Sequence, residues 1–200
     1  IYLDDNCLTN IPDYLFQFTP RIRNIFLQHN SLEHISQNFL RQNTKIVGLN
    51  VANNKLEDIS NIFSFKGLIS LIASNNKLNP INPDTTAISD ENELISLNLD
   101  NTTLSNVNFV RKLKRLRELY ASWNRIKILD TNLLKGADNL THISLNSNPL
   151  EKIYFEEENE VSTLTNLDIR DSPIERNCLY LLEIFNLAND KLINLNINMA

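Results

Sequence analysis

One pattern of apolar and polar positions runs the length of the chain. It reads apolar, two variable, apolar, one variable, apolar, two variable, asparagine, one variable, apolar. The copies are Ile22, Ile25, Leu27, Asn30, Leu32; then Ile46, Leu49, Val51, Asn54, Leu56; then Leu68, Leu71, Ala73, Asn76, Leu78. Next come Leu94, Leu97, Leu99, Thr102, Leu104; then Leu116, Leu119, Ala121, Asn124, Ile126; then Leu140, Ile143, Leu145, Asn148, Leu150; then Leu164, Leu167, Ile169, Ser172, Ile174. Partial copies flank them: Ile1, Leu3, Asn6 and Leu8 at one end, and Leu192, Leu195 and Ile197 at the other. The asparagine-type positions fall at 6, 30, 54, 76, 102, 124, 148 and 172, with spacings of 24, 24, 22, 26, 22, 24 and 24. A fixed period of this size is the mark of a solenoid, in which each copy is one supersecondary unit.

Alternating apolar residues predict a short strand with one face turned inward. The asparagine sits where the chain bends inward after the strand, and there backbone groups would be buried without partners. An asparagine amide has two donors and an acceptor, so stacked side chains can satisfy them as a ladder. Its expected members are Asn6, Asn30, Asn54, Asn76, Thr102, Asn124, Asn148 and Ser172. Thr102 and Ser172 offer only a hydroxyl, so the ladder is expected to be weaker there.

The pattern is that of the leucine-rich repeat, and the resemblance covers essentially the whole chain. It implies an α/β solenoid: a horseshoe with a concave parallel β-sheet and an irregular or short-helical convex side, in a single domain of about eight repeats over residues 1–200. The returning segments carry Ile11, Pro12, Leu15 and Phe16, then Ile35 and Phe39, then Ile59 and Phe63. This resembles the 24-residue class common in extracellular animal proteins, where a phenylalanine fills the convex side of the core. Ile126, Leu129 and Leu133 keep the spacing with leucine. Pro80 and Pro83 fix the backbone after Leu78, which predicts an irregular loop over residues 79–92. Apolar residues at helical spacing predict a convex helix over 177–187. The asparagine-rich, irregular copies also resemble insect leucine-rich proteins, the mosquito immune family among them. The stretch Leu56-Glu57-Asp58-Ile59-Ser60 is similar to bacterial adhesin repeats.

Cys7 and Cys178 lie about seven copies apart, which is about 34 Å at the spacing of parallel strands. A disulfide needs Cα atoms within about 7 Å, so the two do not pair within one solenoid. Each is then a free, partly buried thiol or the partner of a cysteine elsewhere. Secreted members of the family usually carry disulfide-bonded caps, and both ends here cut through a repeat. The chain is therefore expected to be a fragment of a longer protein. Asn139-Leu140-Thr141 and Asn101-Thr102-Thr103 match the N-glycosylation pattern, so Asn139 and Asn101 are either glycan sites of a secreted chain or chance matches in an asparagine-rich one, and Asn101 lies next to the ladder, where a glycan fits poorly. The class resemblance points to that extracellular setting.

Nothing in the sequence calls for catalysis, a metal or a cofactor. His29, His34 and His142 do not converge, no cysteine–histidine group has zinc spacing, and there is no glycine-rich phosphate loop or nucleophile elbow. A net charge of -5 disfavours nucleic acid. No apolar run reaches the roughly 20 residues of a membrane span. Arg111, Lys112, Lys114, Arg115 and Arg117 form a basic cluster, and Glu156, Glu157, Glu158 and Glu160 an acidic one. Each is a solvated flank or a docking patch of opposite sign.

The expected function is recognition of a protein ligand, of receptor or immune type. The alternatives are a structural or dimerisation module of a larger assembly and an intracellular or bacterial adaptor or adhesin. The strand's variable positions would face the ligand. Most are small and polar, but Tyr2, Phe26, Ile72 and Tyr120 are not. Trp123, the only tryptophan, stands one residue before Asn124. With Glu118 and Asp100 nearby, Tyr120 and Trp123 have the composition of an interface centre. In the other reading, Trp123 folds over the turn and covers the core.

Overall fold

A computed structural model of the chain describes residues 1–82, 88–154, 163–174 and 194–196. Each copy of the pattern supplies one three-residue strand: β1 (Asn24–Phe26), β2 (Gly48–Asn50), β3 (Ser70–Ile72), β4 (Ser96–Asn98), β5 (Glu118–Tyr120), β7 (His142–Ser144), β9 (Asn166–Asp168) and β10 (Asn194–Asn196). These eight form one parallel sheet in that order, and Tyr2 adds a bridge to Phe26 ahead of β1. Ile25, Leu49, Leu71, Leu97, Leu119, Ile143, Leu167 and Leu195 stand in one register. All but Leu195 are buried, and each contributes about 2 kcal/mol through burial. Parallel strands need a long crossover. The return arm of each copy is that crossover, and its apolar residues close the other side of the core.

The inward bend after each strand is built the same way in every copy. The residue before the ladder position takes a left-handed backbone, with φ of 52–57° at Asp5, His29, Asn53, Asn75, Asn101, Trp123, Ser147 and Asp171. This lets its N–H continue the parallel bonding: Asn53 N donates to Ser74 O at 2.9 Å and Trp123 N to Asn146 O at 3.0 Å.

The ladder asparagines then serve two copies at once. Asn54 Nδ2 donates to Val51 O of its own copy at 3.1 Å and to Leu27 O of the preceding one at 2.9 Å. Its Oδ1 accepts Leu32 N at 2.9 Å. Asn30, Asn76, Asn124 and Asn148 repeat this arrangement. Asn6 is exposed and bonds only within its own turn, to Leu3 O and Asp4 O.

Thr102 keeps its own bend, donating Oγ1 to Leu99 O at 2.8 Å, but its side chain does not reach back. Leu78 N is taken instead by the Thr102 backbone carbonyl at 3.0 Å, and Leu78 O by Thr103 Oγ1 at 3.0 Å. Ser172 likewise bonds Ile169 O of its own copy.

The convex side is more varied than its sequence suggests. Short 3-10 helices span Ser60–Ser64, Asn108–Lys112 and Thr131–Lys135. A second parallel sheet pairs β6 (Ile128–Asp130) with β8 (Lys152–Tyr154), where only irregular or helical backbone was expected. Leu129 and Ile153 are buried there, at the position Ile35 and Ile59 hold in other copies, and buried Leu133 takes the place of phenylalanine. Aromatic rings run through the other copies: Phe16 to Phe39 at 5.5 Å, Phe39 to Phe65 at 6.3 Å, and Phe63 to Phe109 at 5.6 Å. Leu15, expected beside Phe16, is instead exposed. Buried Asn43 donates to Thr19 O at 2.9 Å, and Asn92 to Phe63 O at 2.9 Å, so asparagine bridges copies on this side too. The helix predicted over 177–187, Cys178, Ile197, and residues 83–87 of the predicted irregular loop lie outside the described residues.

Asn54→Leu strips Leu32 N of its partner inside the core. It is expected to cost about 2 kcal/mol in chemical denaturation. Asn6→Leu, at an exposed position, is expected to stay within about 0.5 kcal/mol. Equal effects of the two substitutions would remove the ladder's energetic role.

Candidate functional site

The last residues of the strands stand in one row across the concave sheet: Phe26, Asn50, Ile72, Asn98, Tyr120, Ser144, Asp168 and Asn196. Phe26, Ile72 and Tyr120 alternate with polar residues, each about 10 Å from the next, two strand spacings apart. The polar residues are occupied locally. Asn50 Oδ1 accepts Ala52 N at 3.0 Å, and Asn98 Oδ1 accepts Asp100 N at 2.9 Å. Asp168 is held by Arg170, with Nε to Oδ1 at 2.9 Å and Nη2 to Oδ2 at 2.7 Å. At the far end Tyr2 stacks flat on Phe26, with ring centres 4.8 Å apart.

Trp123 does not cover the core: 60% of it is exposed. It also occupies the left-handed position of its bend. The seven other copies place aspartate, asparagine, serine or histidine there, mostly the short polar residues that tolerate this backbone. The indole forms one wall of a depression of about 450 Å³, shared with Ser74, Asn75, Asp100 and Asn101. Asn101 Nδ2 donates to Asn75 Oδ1 at 2.8 Å across the copies. Asp100 Oδ1 accepts Ser122 N at 2.7 Å, and Ser122 is itself buried against Ser144 Oγ at 3.0 Å. Burial pushes the Asp100 carboxyl above its ordinary range, outweighing the hydrogen bonds from Ser122 and Asn98. Burial also raises the Tyr120 phenol, with Glu118 adding to the effect as neighbouring charge and hydrogen-bond acceptor and Asp100 as a further charge.

Tyr120, Glu118, Asp100 and Trp123 thus share one neighbourhood. Tyr2 and Phe26 make a separate aromatic cluster, and Ile72 lies between the two groups. Ser74 and Asn75 were not foreseen as site residues, because only the stacking of copies brings them beside Asp100 and Trp123. The signal that could have found them is the bend position itself, read down the copies.

Three solved structures match the chain over nearly its whole length. An internalin of Listeria monocytogenes aligns with 99% of the chain at 16% identity and a TM-score of 0.66. The LRIM1/APL1C complex aligns with 99% at 19% identity and 0.67, and the leucine-rich repeat domain of APL1B with 100% at 17% and 0.58. The fold is a leucine-rich-repeat solenoid. The chain spans 62%, 40% and 57% of the length of those three chains. No family model and no curated protein matches the sequence.

The other sequence features of the solenoid fall into place around this face. Members of the basic cluster pair with the preceding copy: Lys114 Nζ lies 2.7 Å from Asp90, and Arg115 lies 3.5 Å from Glu93. Lys114 holds the Asp90 carboxyl below its usual range. These pairs are exposed, so each contributes little to stability. The acidic cluster at Glu156, Glu157, Glu158 and Glu160 lies outside the described residues. Cys7 is a free thiol and is exposed rather than partly buried. Asn139 and Asn101 are both exposed, with Asn139 Nδ2 bonded to Lys114 O at 2.8 Å. Among the described residues, no group of three or more His, Cys, Asp or Glu could hold a metal ion, and no helix is long and apolar enough to cross a membrane.

Two substitutions check this geometry. Trp123→Asn restores a residue suited to the left-handed bend and is expected to stabilise by about 1 kcal/mol. An unchanged or lower denaturant midpoint would refute the strain. Asp100→Asn keeps an acceptor for Ser122 N. The folded chain holds the Asp100 proton to higher pH than the unfolded chain. Ionising it therefore costs stability as pH rises through the ordinary aspartate range, near ~3.9, and the cost persists at neutrality. The variant is expected to melt higher than the parent at pH 7, with the gap closing as pH falls below that range.

Proposed function

We propose that this segment is a non-catalytic protein-recognition module whose partner docks on the concave sheet, centred on Tyr120 and Trp123. One observation carries the reading: the single tryptophan is held exposed, at a strained position, beside a half-buried carboxylate. Strain of this kind is tolerated where it serves a site. Tyrosine and tryptophan supply large contact area at low entropic cost. Glu118 and Asp100 give the centre its polarity, and Ile72, Phe26 and Tyr2 extend it toward the first copies.

The module is read as extracellular, of receptor or innate-immune type. The 24-residue spacing, the phenylalanine of the return arm and the exposed glycosylation pattern at Asn139 support this. So does the likeness to the LRIM1/APL1C complex. The likeness to an internalin supports the alternative of a bacterial leucine-rich-repeat protein. N-glycosidase treatment of the protein taken from its source separates the two. An extracellular animal module is expected to lose mass, and Asn139→Gln is expected to remove that loss.

Partner capture from the source organism tests the binding face. Trp123→Ala is expected to weaken capture at least about thirtyfold, the level of a hot-spot truncation. Lys45→Ala, at an exposed residue of a return arm, is expected to change it little. Asn98→Ala is not a silent control, because Asn98 holds the bend that carries Asp100. Equal capture by parent and Trp123→Ala would move the binding face elsewhere.

A further inference from the structure

We propose that the depression between Trp123 and Asp100 receives one cationic side chain, an arginine or lysine, from the protein partner. This rests on the concave-face reading above and names the chemistry it would recognise.

The lining is suited to a cation and to little else. One wall is the exposed indole of Trp123, whose face attracts a guanidinium or ammonium. Asp100 supplies a carboxylate in the same depression. Its Oδ1 is held by Ser122 N, so its position is set before any ligand arrives. Among the described residues no basic group lies within ion-pair distance of it. The side amides of Asn75 and Asn101 are bonded to each other, and Asn101 Oδ1 remains free to accept. Glu118, on the neighbouring strand, adds negative charge. An anion would meet this charge directly, and an aliphatic side chain would strand the polar lining without partners.

The sheet contains its own precedent. Three strands on, Asp168 carries a guanidinium: Arg170 grips both its oxygens. Arg170 occupies, in its copy, the strand-end column that Asp100 occupies here. In the copy before Trp123 the same two columns hold Asn98 and Asp100, so a carboxylate stands at the strand end with no guanidinium two residues away. A planar guanidinium laid against the indole, with its N–H groups on Asp100, would complete the same pair from outside.

The sole tryptophan makes the site visible without any site-specific tag, since its indole N–H gives one resonance in the spectrum of the uniformly 15N-labelled chain. The probes are three short peptides, Ac-Gly-Arg-Gly-NH2, its citrulline counterpart and its glutamate counterpart, titrated at constant ionic strength. The arginine peptide is expected to shift the Trp123 resonance saturably. The citrulline peptide, equal in shape but uncharged, and the glutamate peptide are expected to give no saturable shift. Asp100→Asn is expected to weaken the arginine peptide about fivefold or more. Equal responses to arginine and citrulline, or an unchanged response in Asp100→Asn, overturn the proposal. If Asp100→Asn fails to fold, the citrulline comparison decides alone. Capture lost in Trp123→Ala with no charge preference among the peptides leaves the concave-face reading standing and removes this one. A charge-selective peptide response with capture intact does the reverse.

Discussion

A chain that winds inward after every strand must bury the polar backbone of the bend, and each buried N–H or C=O left alone costs about 1–3 kcal/mol. Much of the architecture follows from how that demand is met. The left-handed residue turns the chain and keeps its N–H on the neighbouring copy. The asparagine behind it binds its own bend and reaches back to the one before. Together they fix the sheet's register, so two-residue changes in spacing are absorbed by the return arms. The strands stay in line although the copies are 22, 24 or 26 residues long.

The candidate site grows where this rule is relaxed. In the Thr102 copy the side-chain link to the preceding copy gives way to backbone and to Thr103, which is also left-handed at φ 66°. In the next copy the bend residue is tryptophan. These adjacent departures lie beside Asp100 and Asn101, and local departures from a repeat's own pattern are the places where function is expected. The rest of the row is conventional: its polar residues cap their own bends.

The sheet and its core were legible because they are periodic. Each middle apolar residue fixes its strand, and seven of the eight ladder positions were spaced so regularly that Thr102 could be placed among them despite its side chain. Tyr120, Trp123, Glu118 and Asp100 were legible by contrast, as large or charged residues in small polar columns. The convex side was not. Among the described residues the β6–β8 pair has no counterpart in neighbouring copies, and Asn43 and Asn92 look like surface asparagines until the return arms are stacked. Ser74 and Asn75 were hidden for a related reason. Their importance lies in contact with residues about one copy later, and nothing in their own sequence neighbourhood marks it.

The ladder also has a direction. Asn30, Asn54, Asn76, Asn124 and Asn148 each serve the copy before them, and none of these reaches forward. The inheritable unit of such a solenoid is therefore the junction rather than the repeat. Copies gained or lost by duplication or recombination remain foldable when the breakpoint leaves a bend together with the asparagine that follows it one turn later. A junction headed by threonine, as at Thr102, asks less of its predecessor's geometry.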